Sequence, residues 1–142
     1  MKIAPLSHAL WRTCEGRAFQ NISFKKPGLD IGCGFGEFPG VPFNKIEVGI
    51  DISGSDLRKA LPGKKYSKLL EVDARRMPFE KNTFNTALSV SVLEHIERTT
   101  EVIKETHRVL KKGGLFVFSV PTISLYDHLL IPGILRALGI EF

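Results

Sequence analysis

Two aspartates and three glycines, Asp30, Gly32, Gly34, Gly36 and Asp51, have the types and spacing to do chemistry. The run Leu29-Asp30-Ile31-Gly32-Cys33-Gly34-Phe35-Gly36 leads apolar residues into an acid and then sets glycines at alternate positions. Glycine turns tightly, tolerates positive φ and lets a ligand lie against bare backbone. At the end of a strand, such a loop with its amide N–H groups turned outward makes a seat for a nucleotide or nucleoside. A purely structural turn is the other reading. Asp51 ends a second apolar run, Glu47-Val48-Gly49-Ile50-Asp51-Ile52-Ser53, twenty-one positions after Asp30. That is close to the roughly twenty that separate a glycine loop from a ribose-binding carboxylate. An ionised carboxylate accepts both hydrogen bonds of a vicinal diol. Alternatively, Asp51 is a solvated strand end or a cap for a helix starting near Ser53 or Ser55.

The order of the glycines separates cofactor classes. A dinucleotide fingerprint reads G-x-G-x-x-G, with the pyrophosphate on a helix N-terminus. Here Gly32, Gly34 and Gly36 read G-x-G-x-G directly after Asp30. A carboxylate at that point repels a pyrophosphate and suits a ligand carrying an amino-acid tail and a sulfonium. This favours S-adenosylmethionine over NAD, and no Gly-Lys-Ser/Thr comes after it to make a phosphate-binding P-loop.

Further along, Lys68–Val72 reads as a third strand ending at Asp73-Ala74, and Ala87–Val92 as a fourth followed by Glu94 and His95. With an ordinary pKa of about 6.5, His95 has the chemistry of a general base. A structural or substrate-orienting histidine is the alternative. With Val109–Val120 (VLKKGGLFVFSV), these blocks resemble class I S-adenosylmethionine-dependent methyltransferases of the group acting on small molecules and lipids. The resemblance covers about residues 27–121, in order and at compatible spacing. Leu29–Gly36 is similar to the first motif, Val48–Ser53 to the acidic second strand, and Val72-Asp73-Ala74 with Met77-Pro78-Phe79 to the adenine-contacting turn. Phe84–Ile96 (FNTALSVSVLEHI) is similar to the fourth strand and the segment after it.

The resemblance implies that Asp30 and the loop of Gly32, Cys33, Gly34 and Gly36 hold the amino-acid part of the cofactor. Asp51 then holds the ribose, Asp73 accepts from the adenine amino group and the Ala74 N–H donates to a ring nitrogen. Ile52 and Ser89 join these as cofactor contacts, with Met77 and Phe79 as apolar walls or, alternatively, core residues. Cys33 also reads as a small packing residue of the loop. His95 falls beside the reactive methyl. Methyl transfer is an in-line displacement on an already activated sulfonium, so alignment alone can supply much of the rate. The sequence departs from the family pattern at Asn85, where aspartate is usual, and at Pro39, Gly40 and Pro42, where the first crossover helix should run. Proline inside a helix costs about 3 kcal/mol or more, so that helix must be very short or absent.

These residues need strands to carry them. The pattern predicts a doubly wound, mainly parallel Rossmann-like α/β sheet of about five strands, without the last two strands of the family sheet. With 142 residues, 43% of them hydrophobic, the chain builds one core and hence one domain, 1–142. Leu6, Leu10 and Cys14, with Trp11 beside them, mark an N-terminal helix over about 5–18. The apolar segment at about 124–139 is broken by Pro132-Gly133, and each half is too short to span a bilayer. It reads as a lid or membrane-surface helix admitting a greasy substrate, or as a core helix of a truncated homologue. On that second reading the chain is an inactive cofactor-binding module or interaction subunit.

Cys14 and Cys33 lack any zinc or disulfide spacing, so no metal is expected. The first thirty residues carry Arg12, Glu15, Arg17, Lys25 and Lys26 without an apolar leader core, which makes cytoplasm the default. The net charge is +5, yet Lys25-Lys26, Lys64-Lys65, Arg75-Arg76 and Lys111-Lys112 read as scattered, solubilising pairs. Without a basic stripe or interleaved aromatics, the sequence argues against a nucleic-acid partner and for a small-molecule or lipid-like acceptor.

Overall fold

Five short apolar runs become five parallel strands in the computed structural model, which describes residues 12–13, 15–36 and 45–121. They are β1 (Gly28–Ile31), β2 (Ile46–Asp51), β3 (Tyr66–Glu71), β4 (Phe84–Val90) and β5 (Leu110–Ser119). Their order is β3-β2-β1-β4-β5, and every pairing is parallel. The chain winds outward from β1 to β3, then crosses back to β4 and β5. That reversal opens a crevice at the carboxyl edge beside β1. The expected doubly wound sheet is therefore present.

Strands covered on both faces read as nearly continuous apolar runs. Leu29 and Ile31 of β1, Ile50 of β2 and Ala87 of β4 face one core, where Val102 and Val109 of α2 (Thr99–Val109) meet them. Cys33, Ile46, Leu88 and Val90 face the other, with Leu57 of α1 (Gly54–Ala60) and Phe19 from the N-terminal helical segment. The buried residues of α2, Val102, Thr106 and Val109, are spaced four and three apart, which makes one helical face. The buried Thr106 hydroxyl is satisfied by the Val102 carbonyl at 2.8 Å. Ser53 caps α1, its Oγ accepting the Asp56 N–H at 3.3 Å, with Arg58 and Lys59 in the last turn.

Several boundaries differ from the sequence reading. β4 ends at Val90 because Ser91 takes a left-handed conformation, φ 54°. β5 takes up nearly all of the Val109–Val120 block, running from Leu110 to Ser119. The glycine turn is absorbed into the strand, the register passing from Phe84↔Leu110 to Thr86↔Leu115 with Gly113 at φ 76°. Residues 12–13 and 15–19 are helical, so the N-terminal helix runs one residue past its expected end. Leu6, His8, Leu10, Trp11 and Cys14, the crossover prolines 39 and 42 with Gly40, and the segment 124–139 lie outside the described residues. Asn85 uses what an aspartate lacks: its side-chain amide donates to the Lys26 carbonyl.

Three of the four basic pairs come together in space, and Arg75-Arg76, which comes after β3, stands at the opposite edge. Parallel strands open all their lead-ins on one edge, which gathers Lys25, Lys26, Lys45, Lys64, Lys81, Lys111 and Lys112 there, all exposed.

Phe84 is a test of the first core. It is 2% exposed and meets Phe79 edge to face at 5.1 Å. Phe84→Ala should lower the unfolding free energy by about 3–5 kcal/mol, read as a lower urea midpoint at unchanged slope.

Candidate functional site

A cleft of about 510 Å³ occupies the carboxyl edge, built from the segments that come after β1 to β4. Gly32 forms its floor, Ile50, Asp51 and Ile52 one wall, Val72 to Arg75 a second, and Val92 with His95 to Glu97 the third. Its size is within the range of small-molecule and cofactor pockets.

The glycine loop turns through three left-handed positions, Gly32 at φ 73°, Gly34 at 50° and Gly36 at 76°. At Gly32 a Cβ would stand 2.4 Å from Val92 Cγ1, so only glycine lets the loop pass beneath the end of β4. The amides do not point outward as expected. The Gly32 and Cys33 N–H groups donate to the Ile50 carbonyl at 2.8 and 3.0 Å, and Gly34 N–H to Asp51 Oδ2 at 2.8 Å. Gly36 N–H turns back to the Cys33 carbonyl. The end of β2 consumes the first three of these donors, so this loop offers a bare surface rather than a row of donors.

Asp51 is both wall and brace. Its Oδ1 accepts the Ser53 N–H at 2.8 Å while Oδ2 holds Gly34. Each oxygen keeps a further lone pair for a ligand hydroxyl. Ile52 next to it is 70% exposed, an apolar side chain offered to the cleft. Across the cleft, Asp73 is gripped by Arg75, whose Nε lies 3.0 Å from Oδ1 and whose Nη2 lies 2.7 Å from Oδ2. These hydrogen bonds hold the Asp73 carboxyl down at about 2, so it stays ionised. Ala74 is buried beside it. His95 stands on the 3-10 turn Leu93–His95 at the rim, its side chain 77% exposed and Nε2 3.9 Å from Glu94 Oε1.

Other expected residues are not brought to this cleft. Met77 packs in the first core, its N–H bound to Glu105 and its carbonyl to Arg108. Phe79 stacks on Phe84 and takes the core role. Ser89 is fully buried within β4, its hydroxyl without a partner among the described residues. Cys33 is buried in the second core, where burial pushes its thiol upward. Gly36 faces Ala60 and Tyr66, and its carbonyl takes Lys65 Nζ at 2.8 Å. Asp30 lies under the loop, 3% exposed, accepting the Tyr66 hydroxyl at 2.6 Å. It borders a smaller hollow of about 110 Å³ with Arg12, Gly32, Gly34 and Ser91.

Sequence reasoning missed two residues here. Arg12 reaches this hollow from the N-terminal helical segment, and Glu15 anchors that segment. Buried Glu15 accepts Ser91 Oγ at 2.9 Å, Ser119 Oγ at 2.6 Å and Arg12 Nη1 at 2.8 Å. Neither residue sits in a motif, and only the fold brings them to the loop. Arg75 did carry a signal, since a cation two residues past a strand-end aspartate can fold back on it.

Burial raises the Asp30 carboxyl from 3.8 to about 6, with the Tyr66 hydrogen bond opposing and Asp51 adding to the rise. A folded-state pKa above the unfolded one means this group favours folding most below about pH 4. That contribution is lost as pH rises through about 6. Asp30→Asn keeps an acceptor for Tyr66 and cannot ionise. The stability difference between that variant and the parent should shift in the variant's favour by on the order of 3 kcal/mol between pH 4 and 7. Urea unfolding across that range measures it, and a pH-independent difference would refute the buried ionisation.

Comparison with known proteins agrees with this geometry. Residues 29–118 match the family described as methyltransferase domain. Over 100 residues the chain is 33% identical to sterol 4-C-methyltransferase of Caenorhabditis elegans, covering 63% of this chain and 29% of that protein. Over 90 residues it is 33% identical to the tRNA (carboxymethyluridine(34)-5-O)-methyltransferase of Saccharomyces cerevisiae, covering 61% of this chain and 32% of that one. The chain thus spans about a third of the length of these two relatives. Its structure is similar to that of an S-adenosylmethionine-dependent methyltransferase from Thermotoga maritima, a possible histamine N-methyltransferase. The TM-score is 0.70 at 28% identity, over 80% of this chain and 53% of that one. A glycine loop braced by a strand-end aspartate, a parallel switch-point sheet and a family match across both place the chain in the class I S-adenosylmethionine-dependent methyltransferase family.

Proposed function

We propose that this chain holds S-adenosylmethionine across the cleft and the adjoining hollow and transfers its methyl group to a small-molecule or lipid-like acceptor. The observation that carries the reading is Asp51, a strand-end carboxylate already oriented by Gly34 and Ser53, beside a floor of bare glycine. The donor set fits the cofactor: spare carboxylate lone pairs at Asp51 for a ribose diol, apolar Ile52 and Val72 for the faces of a base, and the ionised Asp73 for an exocyclic amine. Ala74 N–H completes the base contacts. Under the loop, Asp30 and Arg12 offer opposite charges to the ammonium and carboxylate of an amino-acid tail. Met77 and Ser89 leave this set because they are buried elsewhere.

S-adenosylmethionine supplies an electrophilic methyl carbon on a sulfonium. The work left to the chain is to hold that carbon in line with the acceptor atom. His95, exposed at the rim, takes the acceptor's proton where there is one to lose. Ile96 on the cleft wall supports an apolar acceptor. A second reading, a nucleic-acid acceptor, is favoured by the equal identity to a tRNA-modifying enzyme, which removes the ground for excluding nucleic acid. The inactive-module alternative finds no support in the comparisons: the matched family, both relatives and the Thermotoga maritima structure are those of methyltransferases.

Calorimetric titration with S-adenosylmethionine, S-adenosylhomocysteine and NAD tests the cofactor. Micromolar binding of the first two and none of the third is expected, and NAD binding, or no binding to a folded chain, overturns the reading. Asp51→Ala should weaken S-adenosylhomocysteine by about 1–3 kcal/mol. Arg12→Gln should weaken it about tenfold or more while leaving 5′-methylthioadenosine, which lacks the amino-acid end, unchanged.

A further inference from the structure

The sheet sorts the charges of this chain by edge. Lys25 and Lys26 precede β1, Lys45 precedes β2, Lys64 precedes β3, Lys81 lies just before β4, and Lys111 and Lys112 occupy the out-turned start of β5. In spatial order they form a row, Lys64, Lys45, Lys25 with Lys26, Lys81, Lys111 with Lys112. Adjacent strands lie about 4.8 Å apart, so five of them make a row about 20 Å long. Among the described residues, two carboxylates, Glu47 and Glu80, share this edge. Glu80 is exposed, and Glu47 is occupied by Gly28 N–H at 2.7 Å and Lys26 at 3.2 Å. Lys26 is the one lysine of the row in an ion pair among the described residues. The edge therefore carries a strong positive excess directly opposite the acid-lined cleft.

We propose that this amino edge binds the phosphate backbone of a nucleic acid. Lysines on flexible stems, one or two per strand, suit sequence-independent phosphate contacts. Between the lead-ins of β1 and β2 the row opens into a recess of about 290 Å³, lined by Lys25, Lys26 and Lys45 over Phe24 and Ile46. A lipid surface fits less well, because it rewards apolar side chains set among the charges. Here the exposed Phe35, Ile52, Phe118 and Val120 lie toward the opposite, carboxyl edge, and only Leu61 and Leu115 of the exposed large apolar side chains among the described residues stand near the row. The row is remote from the cofactor cleft and its binding is measured without cofactor, so either assignment can fail alone.

The test is fluorescence anisotropy of a labelled 20-nucleotide oligouridylate RNA with the full chain at 50 mM salt. Micromolar binding is expected, with log K falling against log salt at a slope of about −2 to −4, since each phosphate on a single strand contributes about −0.7. Combining Lys25→Gln, Lys45→Gln, Lys81→Gln and Lys111→Gln should cost at least tenfold. Combining Lys68→Gln, Arg76→Gln, Arg98→Gln and Lys104→Gln removes the same charge away from the row and should cost less than threefold. Circular dichroism and the S-adenosylhomocysteine affinity of both variants report on folding. Equal losses would mean bulk charge and overturn the proposal, as would absence of RNA binding. Binding to phosphatidylserine vesicles without RNA binding, lost in the first variant, would overturn it in favour of a membrane.

Discussion

The glycine loop depends on the end of β2. Its glycines have no side chains to anchor them, and here the Ile50 carbonyl and the Asp51 carboxylate take the amides of Gly32, Cys33 and Gly34. The same carboxylate holds the N–H of Ser53, the residue that caps α1. One side chain therefore fixes the turn after β1 and the helix after β2 together. This works only in the observed register, Asp30↔Gly49 and Ile31↔Ile50, because a slip of one residue sends Asp51 to the other face. Gly49 makes the register possible. A Cβ there would stand 2.9 Å from Cys33 Sγ, Leu69 and Tyr66, so the strand can lie against these groups only as glycine.

Beneath the loop the chain buries two carboxyl groups, and each is held differently. Burying a polar group without partners is costly, so the partners define what the layer does. Asp30 has a neutral partner, the Tyr66 hydroxyl of the outermost strand β3, and burial therefore dominates its ionisation. Glu15 has Arg12 and two serine hydroxyls, which pin the N-terminal helical segment to the ends of β4 and β5. The face toward α2 buries no carboxyl group among the described residues: Leu29, Ile31, Ile50, Val102 and Val109 meet there by apolar packing, beside Thr106, whose hydroxyl bonds within its own helix. The polar layer is thus confined to the side of the sheet that carries the hollow of Arg12 and Asp30, and apolar packing carries the other.

Locality decides how much of this was legible in the sequence. Strands announced themselves as apolar runs, and glycine order beside a strand-end acid identified the loop, because each signal lies within a few residues. Asp51 was left between ribose contact and helix cap; in the fold it braces Ser53, the actual cap, while still facing the cleft. Face was not legible. In a strand buried on both sides, alternation no longer marks inside from outside, so Ser89 and Asp30 could not be placed by periodicity. Met77 was read as a wall because its turn comes after the third strand, yet Glu105 and Arg108 from α2 fix that turn in the core. The direction of the loop amides was hidden for the same reason: the acceptors of Gly32, Cys33 and Gly34 are seventeen or more residues away.

The charge row was hidden by distance in sequence and created by topology. A parallel strand with both faces covered has no surface on which to carry charge, so ionised residues are pushed to its two ends. Antiparallel strands would mix those ends, setting the lead-in of one strand beside the exit of its neighbour. Parallel strands keep them apart, so a habit repeated strand by strand, lysine before and acid after, adds up across the sheet. Here that sum gives lysines before β1 to β4 and at the start of β5 on one edge, and on the other a cleft where Asp51, Asp73 and Glu97 outnumber Arg75. The acids suit a ligand with a cationic centre. The lysines line no part of that cleft, and in salt solution their field reaches only about 10 Å, too short to cross the strands and act on it. A partner for them, such as the proposed phosphate backbone, would therefore meet them at their own edge.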